Sequence, residues 1–294
     1  MIKRRKVPPP KRRPTAIIAG AAMFAAVAIG LAAFLLLRPS PSGAPVAWAK
    51  FGSADVHSLA FVGDDPQHLL FGHHGGLEET RDGGRTWSPL PVRDDAMSTS
   101  PAADGSIVIA GHEVLVASRD GGQTWSPIRA DLPNLDIHGF TRDPGDPARM
   151  WAYLATGGLW ESSDFGAHFV RVRDDNILFP TAVRAGDTTR LFGVNANGLS
   201  ASDDGGRTWA ALTSPPTFPM TGFAASADGR VLYAGASDGL FRSADGGRSW
   251  AKTGYTGSAF AIAVSPDGQT VAVVSRETEF YRSPDGGTTW SGPT

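Results

Sequence analysis

"TRDGGRTW", residues 80–87, returns along the chain as "SRDGGQTW" at 118–125, "SDDGGRTW" at 202–209, "SADGGRSW" at 243–250 and "SPDGGTTW" at 283–290. A degenerate copy, "SSDFGAHF", fills 162–169. The aspartates of the six copies, Asp82, Asp120, Asp164, Asp204, Asp245 and Asp285, lie 38, 44, 40, 41 and 40 residues apart. A period of about forty residues suits one four-stranded propeller blade per unit. The chemistry of each copy is that of a hairpin. An Asp side chain accepts backbone N–H groups two residues on and closes a turn. Glycine supplies the positive φ that a tight hairpin demands. Trp87, Trp125, Trp209, Trp250 and Trp290 then open the next strand and bury a large ring against a neighbouring sheet. Six evenly spaced copies are fold punctuation, so these aspartates read as structural rather than as calcium ligands or catalytic carboxylates.

Outward from the repeat, each unit divides in the same way. In the fifth, residues 221–226 predict an inner strand and "ADG" its turn. "RVLYAG", "GLFRS" and "SWAKTG" follow as the second, third and outer strands. The expected fold is all-β: a six-bladed propeller of four-stranded antiparallel blades over 46–294. Only "WSGPT" follows the last copy, so the sixth blade lacks an outer strand of its own. "VAWAKFG", 46–52, matches the outer-strand segment "SWAKTG" and is expected to complete that blade, leaving no long free edge.

Upstream of the repeats, residues 15–37 are 23 consecutive residues without a charge. As a helix they reach roughly 34 Å at about 1.5 Å per residue, enough for a hydrocarbon core of about 30 Å. Seven Lys/Arg precede this stretch and only Arg38 follows. The positive-inside rule therefore keeps residues 1–14 cytoplasmic as a basic tail and places the propeller outside the cell membrane on a single-pass anchor. A cleaved signal peptide fits less well, because its apolar region usually runs about 7–15 residues. Residues 38–45, "RPSPSGAP", read as a short stiff spacer. The chain has no cysteine, which removes disulfides, thiolate metal sites and thiol nucleophiles. Setting aside the eight basic residues of 1–38 leaves 19 Lys/Arg against 29 Asp/Glu. An acidic body is a poor polyanion binder, and nucleic acid is not an expected partner.

The repeat also sorts the seven histidines. Second-to-third-strand hairpins and blade-to-blade connections share one face of a propeller, here the upper face, and the Asp turns share the other. His73 and His74 fall in the hairpin of blade one, and His112 with Glu113 in that of blade two. His57 and His138 lie at the start of the inner strands of blades one and three, where blade two has Met97. His57, His73, His74, His112, His138 and Glu113 are therefore the candidate ligand-binding residues, and His57, Met97 and His138 a candidate zinc or copper set. Imidazoles in this position also suit proton transfer near neutral pH or hydrogen bonding to rim loops. Asp55, Asp136, Asp238 and Glu277 share this face and offer further carboxylates.

The repeated segment resembles the Asp-box, or bacterial neuraminidase repeat, S-x-D-x-G-x-T-W. Six near-copies in register carry the resemblance across 80–290, and it implies a sialidase-like propeller. It does not extend to sialidase activity. That family reads its substrate's carboxylate with three arginines, the first in an Arg-Ile-Pro motif on an early inner strand, and "VHSLAF" stands here instead. "VHSLAF" with "DDPQHLLFGHHGGL" is similar to small bacterial extracytoplasmic Asp-box proteins labelled glycosyl hydrolase-like. Blades like "GLEETRDGGRTW" also occur in the photosystem II assembly-factor propeller, which has seven blades and an arginine-rich face. The expectation from all of this is a membrane-anchored propeller that binds a protein or carbohydrate ligand. The alternative is a glycoside hydrolase-like or metal-dependent hydrolase using the same upper face.

Overall fold

The computed structural model describes residues 45–292 apart from Ala54, Pro216 and Phe218. The expected basic tail 1–14, anchor 15–37 and all but the last residue of the spacer 38–45 lie outside the described residues. Among the described residues no helix is long and apolar enough to cross a membrane.

Six four-stranded antiparallel sheets follow one another around a ring. In blade one the strands are Ser58–Phe61, Leu69–His73, Gly76–Thr80 and Ser88–Pro89, paired in chain order. Blades two to five repeat that order from inner strands Ser98–Pro101, Ile137–Asp143, Leu178–Ala185 and Gly222–Ala225. The sixth uses Ala261–Val264, Val271–Val274 and Glu279–Ser283, and its outer strand is Ala49–Lys50 from the other end of the chain. Ala49 pairs with Phe280 and Lys50 with Glu279. Trp48 extends the closure by donating its backbone N–H to Phe280 and its indole N–H to the Ser291 carbonyl. The expected six blades and the expected closing segment are both present.

The apolar seams lie between blades rather than within them, because each sheet turns one face to its neighbour. Val56, Leu59, Leu69 and Phe71 of blade one meet Ala261, Ala272, Val274 and Phe280 of blade six. Leu77, Val92, Ala96, Ile109 and Val114 fill the seam between blades one and two. At about 25 cal/mol per Å² of apolar surface removed from water, such seams are the main favourable term holding the ring.

The Asp-box turn is built differently from the sequence expectation. Asp82 Oδ1 accepts the N–H groups of Arg85 and Thr86, three and four residues on, and Oδ2 accepts the Thr86 hydroxyl at 2.6 Å. Two residues before each Asp stands a buried hydroxyl, Thr80, Ser118, Ser162, Ser202, Ser243 or Ser283. Each donates to its Asp and accepts the N–H of the second turn position, as Ser202 does from Gly206 at 2.8 Å. The glycines carry positive φ as expected, and at Gly84 an added Cβ would lie 2.1 Å from the Phe280 ring of blade six. The degenerate copy makes the same turn. Phe165 takes the first glycine position at φ 60, and the His168 ring bonds Asp164 at 2.6 Å in place of a Thr hydroxyl. Most box tryptophans bond the carbonyl of the second glycine of their own turn, as Trp87 does at Gly84. Trp250 departs from this and reaches the Thr213 carbonyl at 2.8 Å.

Candidate functional site on the upper face

The upper face is assembled by a backbone contact that repeats around the first three blades. The connection entering each blade lies against the strand-two to strand-three hairpin of the blade before it. Ala96 N–H donates to the His73 carbonyl, and Glu113 N–H donates to the Leu135 carbonyl. Gly76 of the blade-one hairpin permits this approach, since a Cβ there would lie 2.2 Å from the Val92 carbonyl oxygen in the connection entering blade two. The entering segments carry an acid two residues before the inner-strand position already noted: Asp55 before His57, Asp95 before Met97, and Asp136 before His138.

These acids interleave with the imidazoles. Asp55 accepts the His74 backbone N–H at 3.0 Å and also bonds the His74 ring at Nδ1. His57 Nε2 lies 3.2 Å from His74 Nδ1 and 3.4 Å from Asp95 Oδ1. Asp95 Oδ2 accepts the His112 backbone N–H at 3.1 Å and lies 2.7 Å from His112 Nδ1. His112 Nε2 is 3.8 Å from Asp136 Oδ1, which bonds His138 Nε2 at 3.0 Å. Neighbouring rings along the row lie 4.3, 6.2 and 4.9 Å apart, from His57 to His74 to His112 to His138. Seven side chains thus form one continuous acid–imidazole row across three blades.

Electrostatics differ along it. Burial is the largest influence on His57 and holds its imidazole below the usual histidine range, against the nearby Asp95 charge. The hydrogen bond to Asp55 instead raises His74, which is exposed. For Asp55 burial works upward, but the ring and backbone hydrogen bonds of His74, with the charges of His57 and His74, hold the carboxyl below its usual value. The half-buried ring of His57 therefore resists protonation while its exposed neighbour His74 favours it.

The structure brings together four of the five candidate histidines, His57, His74, His112 and His138. His73 is not part of the row: its Nδ1 accepts the Gly75 N–H at 3.0 Å and its ring lies 5.7 Å from Phe71. Glu113 is exposed at the hairpin tip with φ 58. His57, Met97 and His138 line the same cavity of about 470 Å³ in the upper half of the central channel, with Phe179, Met220 and Phe260. Among the described residues, three groups of imidazole and carboxylate donors are compact enough to hold an ion. They are Asp55–His57–His74, His74–Asp95–His112 and His112–Asp136–His138. Asp95 is the residue that sequence reasoning did not single out. Its signal was the register of Asp55, Asp95 and Asp136, each two residues before the inner-strand His or Met.

A family model described as BNR/Asp-box repeat matches residues 116–127, the third strand and box of blade two. The chain is an Asp-box β-propeller. No curated protein matches this propeller by sequence. Among solved structures, the GH74 xyloglucanase from Xanthomonas campestris superposes with a TM-score of 0.58 at 21% identity, over 84% of this chain and 46% of the enzyme. The Asp-box propeller thus spans less than half the length of the GH74 enzymes it matches. YCF48 from Cyanidioschyzon merolae superposes with a TM-score of 0.52 at 20% identity, over 84% of this chain and 88% of that one. A YCF48 bound to D1 peptide gives 0.51 at 18% identity, over 80% and 95%. At these identities the likeness is one of fold.

Proposed function

We propose that this Asp-box propeller is a membrane-anchored extracytoplasmic module that binds a protein or carbohydrate ligand through its upper face at blades one to three. The supporting observation is the acid–imidazole row. Blades four to six close the equivalent hairpins without such a row, with Asn195–Asn197, Ser237–Asp238 and Arg276–Glu277 in place of the histidines. The fold does not require the imidazoles, so their gathering at the channel mouth points to recognition. The uncharged stretch 15–37 and its basic flank support the anchor and the outward orientation. Peptide binding by a YCF48 propeller and xyloglucan cleavage by a GH74 enzyme name the two ligand classes worth testing first.

The test uses the full chain in detergent. Electrophoresis through gels containing xyloglucan, and capture on a synthetic peptide array, are compared between wild type and a His74→Ala/His112→Ala variant. Retention or capture lost in the variant, with no reducing ends released from the polysaccharide, supports a binding module. Release of reducing ends that stops in Asp95→Asn replaces it with the hydrolase reading. Equal retention by wild type and variant removes the upper face as the site. A phosphatase reporter fused after Thr294 and inactive on intact cells would overturn the outward orientation.

A further inference from the structure

We propose that the upper face holds a divalent transition-metal ion between Asp55, His57 and His74, with the buried Asp95 beside it, an inference that rests on reading this face as the binding face. Asp55, His57 and His74 each offer one donor atom, all within 4.8 Å of one another. Around an ion with ligands at about 2.0–2.1 Å, the edges of a tetrahedron are about 3.3–3.4 Å long. His57 Nε2 stands 3.2 Å from His74 Nδ1, so one edge of such a polyhedron is already present, and Asp95 Oδ1 lies 3.4 Å from the same His57 nitrogen.

An independent observation is the state of Asp95. Its side chain is only 10% exposed, and Oδ1 is buried with no hydrogen-bond partner among the described residues. A carboxylate oxygen withdrawn from water without a donor is destabilising, and a cation removes that penalty. His57 Nε2, at 3.4 Å, is in ion-pair range of that oxygen but makes no hydrogen bond to it. The other oxygen, Oδ2, is fixed by the backbone and ring of His112. Asp55 is held in the same manner, its Oδ1 accepting the His74 N–H at 3.0 Å and lying 3.2 Å from the Ser53 hydroxyl. Each acid is therefore anchored through one oxygen and turned toward the imidazole pair through the other, which is how outer contacts orient metal ligands.

Imidazole and carboxylate donors suit zinc and the other borderline divalent ions. Ligation displaces the proton shared by Asp55 and His74, so ion uptake releases a proton and strengthens as pH rises. The neighbouring His112–Asp136–His138 group has no orphaned oxygen among its described atoms.

The experiment is calorimetric titration of ZnCl₂ into the full chain in detergent, carrying no histidine tag and stripped beforehand with EDTA. Expected is uptake of one ion per chain, tighter above neutral pH than below it. Uptake should weaken at least ~10-fold in His57→Ala and in Asp95→Asn, and stay unchanged in His168→Thr, which removes an exposed imidazole in the blade-three box. Asp95→Asn retains an oxygen to accept the His112 N–H, so an unaltered circular dichroism spectrum separates lost ligation from lost folding. No uptake by wild type, or equal uptake by wild type and Asp95→Asn, overturns the metal site. Xyloglucan and peptide retention repeated in EDTA keeps the two readings apart. Retention without zinc uptake overturns the metal site alone, and zinc uptake without any retention supports it while removing the ligand reading.

Discussion

On the lower face, Asp204 takes the Thr208 N–H at 2.8 Å and the Thr208 hydroxyl at 2.6 Å, and the Ser202 hydroxyl donates to it at 2.8 Å. Every one of those partners lies within four residues of it. On the upper face, Asp95 takes His112 of its own blade through one oxygen and turns the other toward His57 of the blade before. The same residue type thus closes a local turn in one place and spans two blades in the other. A carboxylate whose lone pairs are filled by its own turn has little left for a ligand. One that is half filled, and buried, retains capacity for chemistry.

The comparison is most strongly broken by acid, which reaches all the lower-face turns together. Side-chain and backbone hydrogen bonds from Thr124, His168 and Thr208 hold Asp120, Asp164 and Asp204 at about 2, and Asp82 and Asp245 are lowered too. An unfolded aspartate titrates near ~3.9. The folded values are the lower ones, so this stabilisation is complete above about pH 4 and disappears as pH falls toward about 2. Denaturant midpoints should be flat above that window and fall through it. A flat profile down to pH ~2 would show that the box carboxylates contribute nothing to stability.

A single-site break of the lower face comes next in size. Trp151 is fully buried in blade three, and its indole N–H donates to the Gly205 carbonyl in the box of blade four at 3.1 Å. Trp151→Ala should cost about 3–5 kcal/mol in chemical denaturation. A loss below about 1 kcal/mol would mean that the turn does not depend on its neighbour.

The smallest effect belongs to the upper face. His112 has a 44% exposed side chain, and His112→Ala leaves its backbone N–H on Asp95. Its stability should change by no more than about 0.5 kcal/mol. Ring-proton titration by NMR sharpens the contrast: His74 should titrate above the ordinary histidine value and His57 below it. Protonated His74 thus contributes stability below about pH 6.5 that is lost as pH rises through its folded value. His57 does the reverse, and its contribution is lost as pH falls through its lowered one. Coincident titrations would remove the electrostatic distinction drawn between the two rings.

The blades were legible because the repeat states its hairpin chemistry six times, and even "SSDFGAHF" keeps enough of it to form the turn. The closing strand was legible because 46–52 matches an outer strand elsewhere in the chain. The role of the Ser/Thr that opens each box went unread although all six copies carry it, since what its hydroxyl bonds depends on a burial that the repeat does not state. At the site, position in the repeat identified the face but not the side chains that meet. His73 and His74 are adjacent, and a hairpin sends adjacent rings different ways, so only geometry separates them. Asp95 was hidden because Met97 occupies the place where blades one and three carry histidine, which obscured the acid in register two residues earlier.

The strand Ala49–Lys50 pairs with residues 279 and 280, across more than two hundred positions of chain. A ribosome delivers the first partner long before the second. Until then the early strand has no partner, so ring closure cannot precede synthesis of residue 280 and depends on a contact of very high sequence separation. Loss of the terminal strands would therefore leave the early strand without a place to dock, and a propagating open edge where a closed disc belongs.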